Sequence, residues 1–235
     1  YRADRRKIDI VPPGVDPERF RPIPTAHARD QLGINPECNL FLFVGRIERL
    51  KAIDTILQAV DLLRRENKPL MERTCFAIIG GDPKNPADEE IQRLKSVAQE
   101  LKIEHLVDFL GAKNHEELRL YYAAASAVIV PSDYESFGMV ALEAMAAGTP
   151  VIASEVGGLA FLVQDQETGL LMPVRDPKAL AAGIVSILAD SEKHRLLGEN
   201  AAQLAEQYAW QRIVERLLPI FEDVVSRHRR QASVS

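Results

Sequence analysis

The sequence predicts an α/β fold built on a parallel sheet, and three observations carry that prediction. Short, almost uncharged apolar runs recur through the middle of the chain, as buried strands do. Between them lie longer segments whose apolar residues recur at three- and four-residue spacing, the period of a helix packed on one face. Glycine or proline closes most of these units, where the chain must turn. Strand and helix in alternation give right-handed βαβ units and a sheet covered on both faces.

The elements follow in order. Residues 2–7 (RADRRK) are basic and read as a solvated linker, with a peripheral membrane or partner contact as the other reading. Ile8–Val11 reads as a short strand before the turn Pro12-Pro13-Gly14, and a short helix is expected around His27–Leu32. Asn39–Val44 is the first buried strand, ended by Gly45-Arg46. Lys51–Glu66 follows as a helix carrying Ile53, Ile56, Leu57, Val60 and Leu63 at helical spacing. Arg73–Ile79 is the second strand, stopped by Gly80-Gly81. The polar loop Asp82–Asp88 reads as a surface excursion and Glu89–Leu101 as an amphipathic helix. Leu106–Leu110 is the third strand, His115–Ala124 a helix and Ala127–Val130 the fourth strand. Val151–Ala153 is the fifth strand, Gly157–Val163 a short helix and Gly169–Met172 the sixth strand. Asp176–Leu188, Glu192–Tyr208 and Trp210–Val225 are closing helices, with a frayed tail from Arg227. The sum is a doubly wound, Rossmann-like parallel sheet of six strands with helices on both faces, in which strands one and four are neighbours.

The stretch 131–154 (PSDYESFGMVALEAMAAGTPVIAS) organises the rest. Pro131, Ser132 and Asp133 break the fourth strand, and Ser136 is the expected N-cap of a helix from Phe137 to Ala147. Gly148 fits the position after the helix, and Pro150 blocks its continuation. This helix is apolar on every face except at Glu143, so it should be buried and its carboxylate should need partners. Vicinal sugar hydroxyls would satisfy an acceptor-only carboxylate. The amides of Phe137, Gly138 and Met139 would face an anion at the helix start, where Gly138 permits close approach. A core helix whose Glu143 reaches a backbone amide or an arginine fits the same residues.

In a doubly wound sheet ligands bind beyond the carboxyl ends of the strands at the switch point. That rule brings Gly45 and Arg46, after strand one, to the same crevice as Pro131–Gly138, after strand four. Arg46 and Lys51 could neutralise a diphosphate there. They could equally be surface cations of a charged loop, RIERLK.

Whole-chain properties exclude other classes. A net charge of −5 over 235 residues argues against general nucleic-acid binding. No apolar run reaches the length of a membrane span, and no signal peptide opens the chain. Cys38 and Cys75 form no disulfide framework. Cys75 reads as a buried thiol, which points to a reducing, cytoplasmic setting. There is no GxxxxGK[ST], GxGxxG or GxSxG motif, no DxD and no cluster with zinc spacing. Tyr1 is not a natural start, so a preceding N-terminal part is expected.

GRIERLKAIDTIL, IIGGDP, DFLGA and PSDYESFGMVALEAMAAGTPVIASEVGGL occur in this order. Together they resemble the C-terminal donor domain of family 4 retaining glycosyltransferases, the second half of a GT-B fold. That group includes sucrose-phosphate synthase-like and mycothiol glycosyltransferase-like proteins. Glu135 and Glu143, with SFG after the first, are the most specific part. The resemblance covers about residues 8–225 and implies a single donor-binding domain over 1–235, whose helix 209–226 crosses back to an N-terminal domain. It implies that Arg46 and Lys51 clamp the donor diphosphate and that Glu143 takes the ribose hydroxyls. Glu135 would face the sugar, and Ser136, Phe137, Gly138 and Met139 would line the sugar and phosphates. The backbone at Lys113 would read the base with Leu118 packed beside it, and Gly45, Gly80 and Gly81 would line the pocket. The implied donor is a nucleotide sugar such as UDP-glucose or GDP-mannose, with no cofactor and no metal, and the implied acceptor is a hydroxyl held mainly by the N-terminal domain. The family usually has glycine after the lysine. Ala52 stands there, with small effects expected. A phosphorylase, a nucleotide-sugar epimerase or a non-catalytic nucleotide-binding module are the alternatives.

Overall fold

The computed structural model describes residues 8–232, with side chains through residue 226. The expected linker 2–7 and the last three residues lie outside the described residues. Six strands form the sheet: β1 (Asn39–Val44), β2 (Thr74–Ile79), β3 (Val107–Phe109), β4 (Ala127–Val130), β5 (Val151–Ser154) and β6 (Gly169–Met172). Every pairing is parallel, in the order β3-β2-β1-β4-β5-β6. The chain builds outward from β1 to β3, then returns to place β4 beside β1, with Phe41 opposite Ala127. This is the expected switch point.

Alternate residues of each strand feed opposite faces. Leu40, Leu42, Val128 and Val130 join one core, covered by α1 (Thr25–Leu32), α5 (His115–Ala124) and α6 (Met139–Ala146). Phe41, Phe43, Ile129 and Ile152 join the other, covered by α2 (Ile53–Glu66), α4 (Glu89–Glu100) and α8 (Pro177–Ala189). Both faces are buried, which is why the strands read as continuous apolar runs rather than alternating ones. Capping explains several starts. Asn114 and Glu117 form a reciprocal capping box on α5, and the Asp88, Asp176 and Asp190 carboxylates accept from first-turn amides of α4, α8 and α9 (Ser191–Ala205).

Several expectations need correction. Ile8–Val11 forms no strand. The order there comes from Val15, whose amide donates to the Tyr208 carbonyl at 2.8 Å while its carbonyl accepts from Trp210 at 3.2 Å. A short helix, α3 (Lys68–Met71), precedes β2, its Leu70 amide capped by the Asn67 side chain. Beyond the small α7 (Leu159–Leu162), the last helix, α10, runs from Trp210 to Ala232, so the chain is helical past Arg227 rather than frayed. No glycine or proline after Pro219 interrupts it.

The two cysteines are not free thiols: Cys38 and Cys75 are joined as a disulfide, with Cα atoms 6.4 Å apart. The register that sets Leu40 beside Cys75 brings Cys38, just before β1, within bonding reach. Pairing across 37 residues is fixed by strand register, which spacing alone does not display. The argument from free thiols to a reducing compartment loses its premise. Among the described residues no helix is long and apolar enough to cross a membrane.

Candidate functional site

The loops after β1 and β4 meet above the switch point. The Asp133 amide donates to the Leu50 carbonyl at 2.9 Å. Beside it the Lys51 ammonium donates to Glu135 Oε2 at 2.6 Å, both side chains about four-fifths buried. Residues 84 positions apart thus form one charge pair at the carboxyl edge of the sheet.

Arg46 does not join this pair. Its guanidinium is 80% exposed and bonds Glu48 at 2.7 Å. The sequence presents the two cations as one clamp, but of the two only Lys51 has a largely buried carboxylate to hold it in place. Arg46 is a solvent-facing side chain on the rim, paired with its neighbour Glu48.

Glu135 sits on a loop that glycine packing fixes. The Gly158 amide donates to the Glu135 carbonyl at 2.9 Å. A Cβ on Gly158 would lie 2.3 Å from Phe137 Cα, and one on Gly157 2.1 Å from the Glu135 carbonyl oxygen. The loop after β5 therefore presses backbone against backbone beneath the SFG segment. Asp133 is tied by a two-point ion pair to Arg175, which holds its carboxyl below the usual aspartate value.

The helix that follows corrects one expectation. Ser136 is exposed and caps nothing. Gly138 takes the N-cap in a left-handed conformation, φ 100°, and α6 begins at Met139. No side chain caps this end, so first-turn amides remain for a ligand. Phe137 leans on Tyr208 with ring centroids 5.8 Å apart, and Met139 is 36% exposed at the rim.

Glu143 lies one turn into α6, half-buried, and is met neither by an arginine nor by a backbone amide. Its partner is the Tyr122 hydroxyl, which donates to Oε2 at 2.8 Å. Burial pushes the Glu143 carboxyl above its ordinary pKa, while the Tyr122 bond and the charges of His115 and Arg19 pull it back.

The remaining expected residues line the other side of the carboxyl edge. Gly45 and Gly80 close the ends of β1 and β2 in contact: a Cβ on Gly80 would stand 1.9 Å from the Gly45 carbonyl oxygen. Gly81 accepts at its carbonyl from the Ala112 amide at 2.8 Å, next to Lys113. Lys113 pairs with Glu117 at 3.5 Å, and Leu118 is buried against the α5 side of the sheet. Tyr122, Asp133, Arg175 and the Gly157-Gly158 pair were not singled out in the sequence. The two adjacent glycines after β5 were a usable signal of close backbone approach. Tyr122 left none: it is one of two adjacent tyrosines on α5, and the sequence does not say which of them turns inward.

Among the described residues no three His, Cys, Asp or Glu side chains gather to hold a metal ion. The arrangement offers a lysine, a buried acceptor and an uncapped helix start, which suits a ligand carrying both phosphate and hydroxyl groups.

Comparison with known proteins agrees with this fold. The chain is 39% identical over 235 residues to a D-inositol 3-phosphate glycosyltransferase of Streptomyces bingchenggensis, spanning 100% of this chain and 51% of that protein. Among solved structures it resembles sucrose-phosphate synthase of Thermosynechococcus elongatus at 37% identity and TM-score 0.83, covering 93% of this chain and 53% of that one. Anabaena HepE, solved in complex with UDP-glucose, shares the fold at 24% identity and TM-score 0.78, over 93% of this chain and 57% of its own. The chain spans about half the length of the curated relatives it matches. Residues 25–204, from α1 through the sheet and both glutamates to α9, match the model of glycosyl transferases group 1, and the chain belongs to that family.

Proposed function

We propose that this chain is the nucleotide-sugar-binding half of a retaining, metal-independent glycosyltransferase that moves a hexosyl unit, glucose or mannose, to an acceptor hydroxyl. The Lys51–Glu135 pair carries this reading, because it sets a cation and a sugar-facing carboxylate side by side at the mouth of an uncapped helix. In this reading the amides of Phe137, Gly138 and Met139 meet the phosphates or sugar, and Glu143 accepts from the ribose. The backbone at Lys113 reads the base beside Leu118, and Gly45, Gly80 and Gly81 let the donor lie close. The names of the relatives, glycosyltransferases acting on an inositol phosphate or making a sucrose phosphate, favour a sugar-transfer reaction.

The reaction breaks the bond between the anomeric carbon and the diphosphate oxygen and forms one to the acceptor oxygen on the same face. The acceptor proton passes to the departing phosphate. Lys51, joined by Arg46 when it swings inward, stabilises the negative charge that gathers on the diphosphate, and the closed site excludes water. The acceptor would lie on a second domain. The exposed stripe Trp210, Val214, Leu218, Phe221 and Val224 along α10 is the surface that such a domain would cover.

Titration with UDP, GDP and ADP tests the reading. Binding of at least one is expected, weakened by about 1–3 kcal/mol in Lys51→Ala and in Arg46→Ala. Unchanged affinity in both variants would sink the clamp.

A further inference from the structure

Tyr122 is fully buried. Its ring packs edge-on against Phe20 with centroids 5.8 Å apart, and its carbonyl accepts from Thr149 Oγ1 at 2.7 Å. Only the hydroxyl is directed to a charged group, and that group is Glu143. A phenol donates once, so the bond occupies one lone pair of Oε2 and leaves the rest of the carboxylate as acceptor.

We propose that Tyr122 is a positioning residue for nucleotide recognition: its hydroxyl locks the Glu143 side chain in place, so that the remaining acceptor sites of the carboxylate meet a ribose diol. This rests on reading Glu143 as the ribose acceptor. The fixed geometry matters because a free glutamate would have to lose its own rotamer freedom on each binding event. It also gives an apolar helix a reason to carry a carboxylate opposite the tyrosine of another helix. The charged and titratable groups facing Glu143 are Tyr122 and His115 from α5 and Arg19 from the segment before α1, and all three favour its ionised form against burial. Removing the hydroxyl withdraws the largest of these and shifts Glu143 protonation to higher pH.

The test uses Tyr122→Phe, which keeps the ring and its packing, beside wild type and Glu143→Gln. Each is titrated across pH with UDP, GDP and ADP, with their 2′-deoxy counterparts and with inorganic pyrophosphate. For whichever ribonucleotide binds tightest, Tyr122→Phe should weaken binding about tenfold near neutral pH. The deoxy form should lose less, pyrophosphate should be unaffected, and the acid limb of affinity should move to higher pH. Glu143→Gln should remove that limb altogether. If Tyr122→Phe keeps both wild-type affinity and the acid limb while Glu143→Gln loses ribose discrimination, the positioning role is wrong and the ribose reading stands. Equal losses for ribonucleotide, deoxynucleotide and pyrophosphate in Tyr122→Phe reduce the residue to a structural part and overturn the proposal. If Glu143→Gln retains full ribose discrimination, or no nucleoside diphosphate binds, the underlying reading falls and this inference with it.

Discussion

The two ends of β1 and β2 are secured by opposite means. At the amino ends a disulfide joins Cys38 to Cys75, Glu37 pairs with Arg73 beside it, and the Asn39 amide donates to the Arg73 carbonyl at 2.6 Å. At the carboxyl ends the same strands finish in glycines whose backbones touch, with the Gly45 amide on the Ile79 carbonyl at 3.0 Å and the Gly80 amide on Gly111 at 3.1 Å. Side chains cross near that edge through ion pairs, Arg93 with Asp54 between the helices that follow β1 and β2, Lys51 with Glu135 and Asp133 with Arg175 further along. The carboxyl edge, where the candidate site lies, is built of close-packed glycine backbone and of paired charges.

The largest expected effect probes the amino end. Replacing Cys38 and Cys75 by serine opens a link across 37 residues. The chain-entropy account assigns such a link about 4 kcal/mol. A fall in Tm of roughly 10 °C, read by calorimetry, should leave nucleoside diphosphate affinity at the far end within about twofold. A parallel loss of affinity would show that the two ends are coupled after all. Gly158→Ala should give the reverse pattern. Its Cβ would meet Phe137 Cα at 2.3 Å and the Ser136 carbonyl oxygen at 2.6 Å, backbone atoms that cannot yield without moving the loop. A stability cost of about 2–3 kcal/mol, with nucleotide binding reduced far more than in the cysteine variant, would place the glycine pair under the site. Retained affinity would mean that the loop has slack.

A smaller effect concerns the buried carboxylate. Glu143 has its folded pKa raised by burial, so between the ordinary value of 4.5 and that raised value the folded protein binds more protons than the unfolded chain. By linkage, stability contributed at this position falls as pH rises through that window and stays reduced above it. Asp54 behaves oppositely. Its bonds to Arg93 lower its pKa, and its contribution is lost as pH falls below 3.8. Glu143→Gln should therefore be more stable than wild type at neutral pH without ligand, in chemical denaturation, and the gain should vanish at acid pH. An unchanged neutral-pH stability would show that Tyr122 fully offsets the burial.

Much of this is legible in the sequence, for one physical reason: a parallel sheet buried on both faces leaves uninterrupted apolar runs. Asn39–Val44, Ala127–Val130 and Gly169–Met172 begin and end as read. The switch point then follows from strand order, and the burial of Glu143 from its helix. What stayed hidden depends on partners remote in sequence. Ile8–Val11 has a strand's composition and no strand beside it. Ser136 has the chemistry of a cap, but Gly138 adopts the left-handed turn and the helix starts after it. In RIERLK, Arg46 and Lys51 look alike, and Glu135, 84 residues after Lys51, separates a cation held by a remote, largely buried carboxylate from one paired at the surface with Glu48. The cysteine pair depends on strand register, and the tyrosine that meets Glu143 on a helix crossing.

The smallest predicted effect lies next to that held cation. Ala52 was expected to be a mild replacement for the glycine that the family usually has after the lysine. It sits in the left-handed region at φ 48°, joining the turn at Arg49–Lys51 to α2. An L-residue there costs about 1–2 kcal/mol, and a glycine would remove that strain. It would also release unfolded-state entropy worth about 0.4–1 kcal/mol, and the methyl group, 5% exposed, would leave the core. The terms nearly cancel, so Ala52→Gly should raise stability by about 0.5 kcal/mol, a Tm gain of roughly 1–2 °C. Lys51 should keep its hold on Glu135 and nucleotide affinity should not change. A lower Tm would mean that the buried methyl outweighs the strain. Weaker binding would mean that the stiff alanine, rather than the carboxylate alone, is what keeps Lys51 in place.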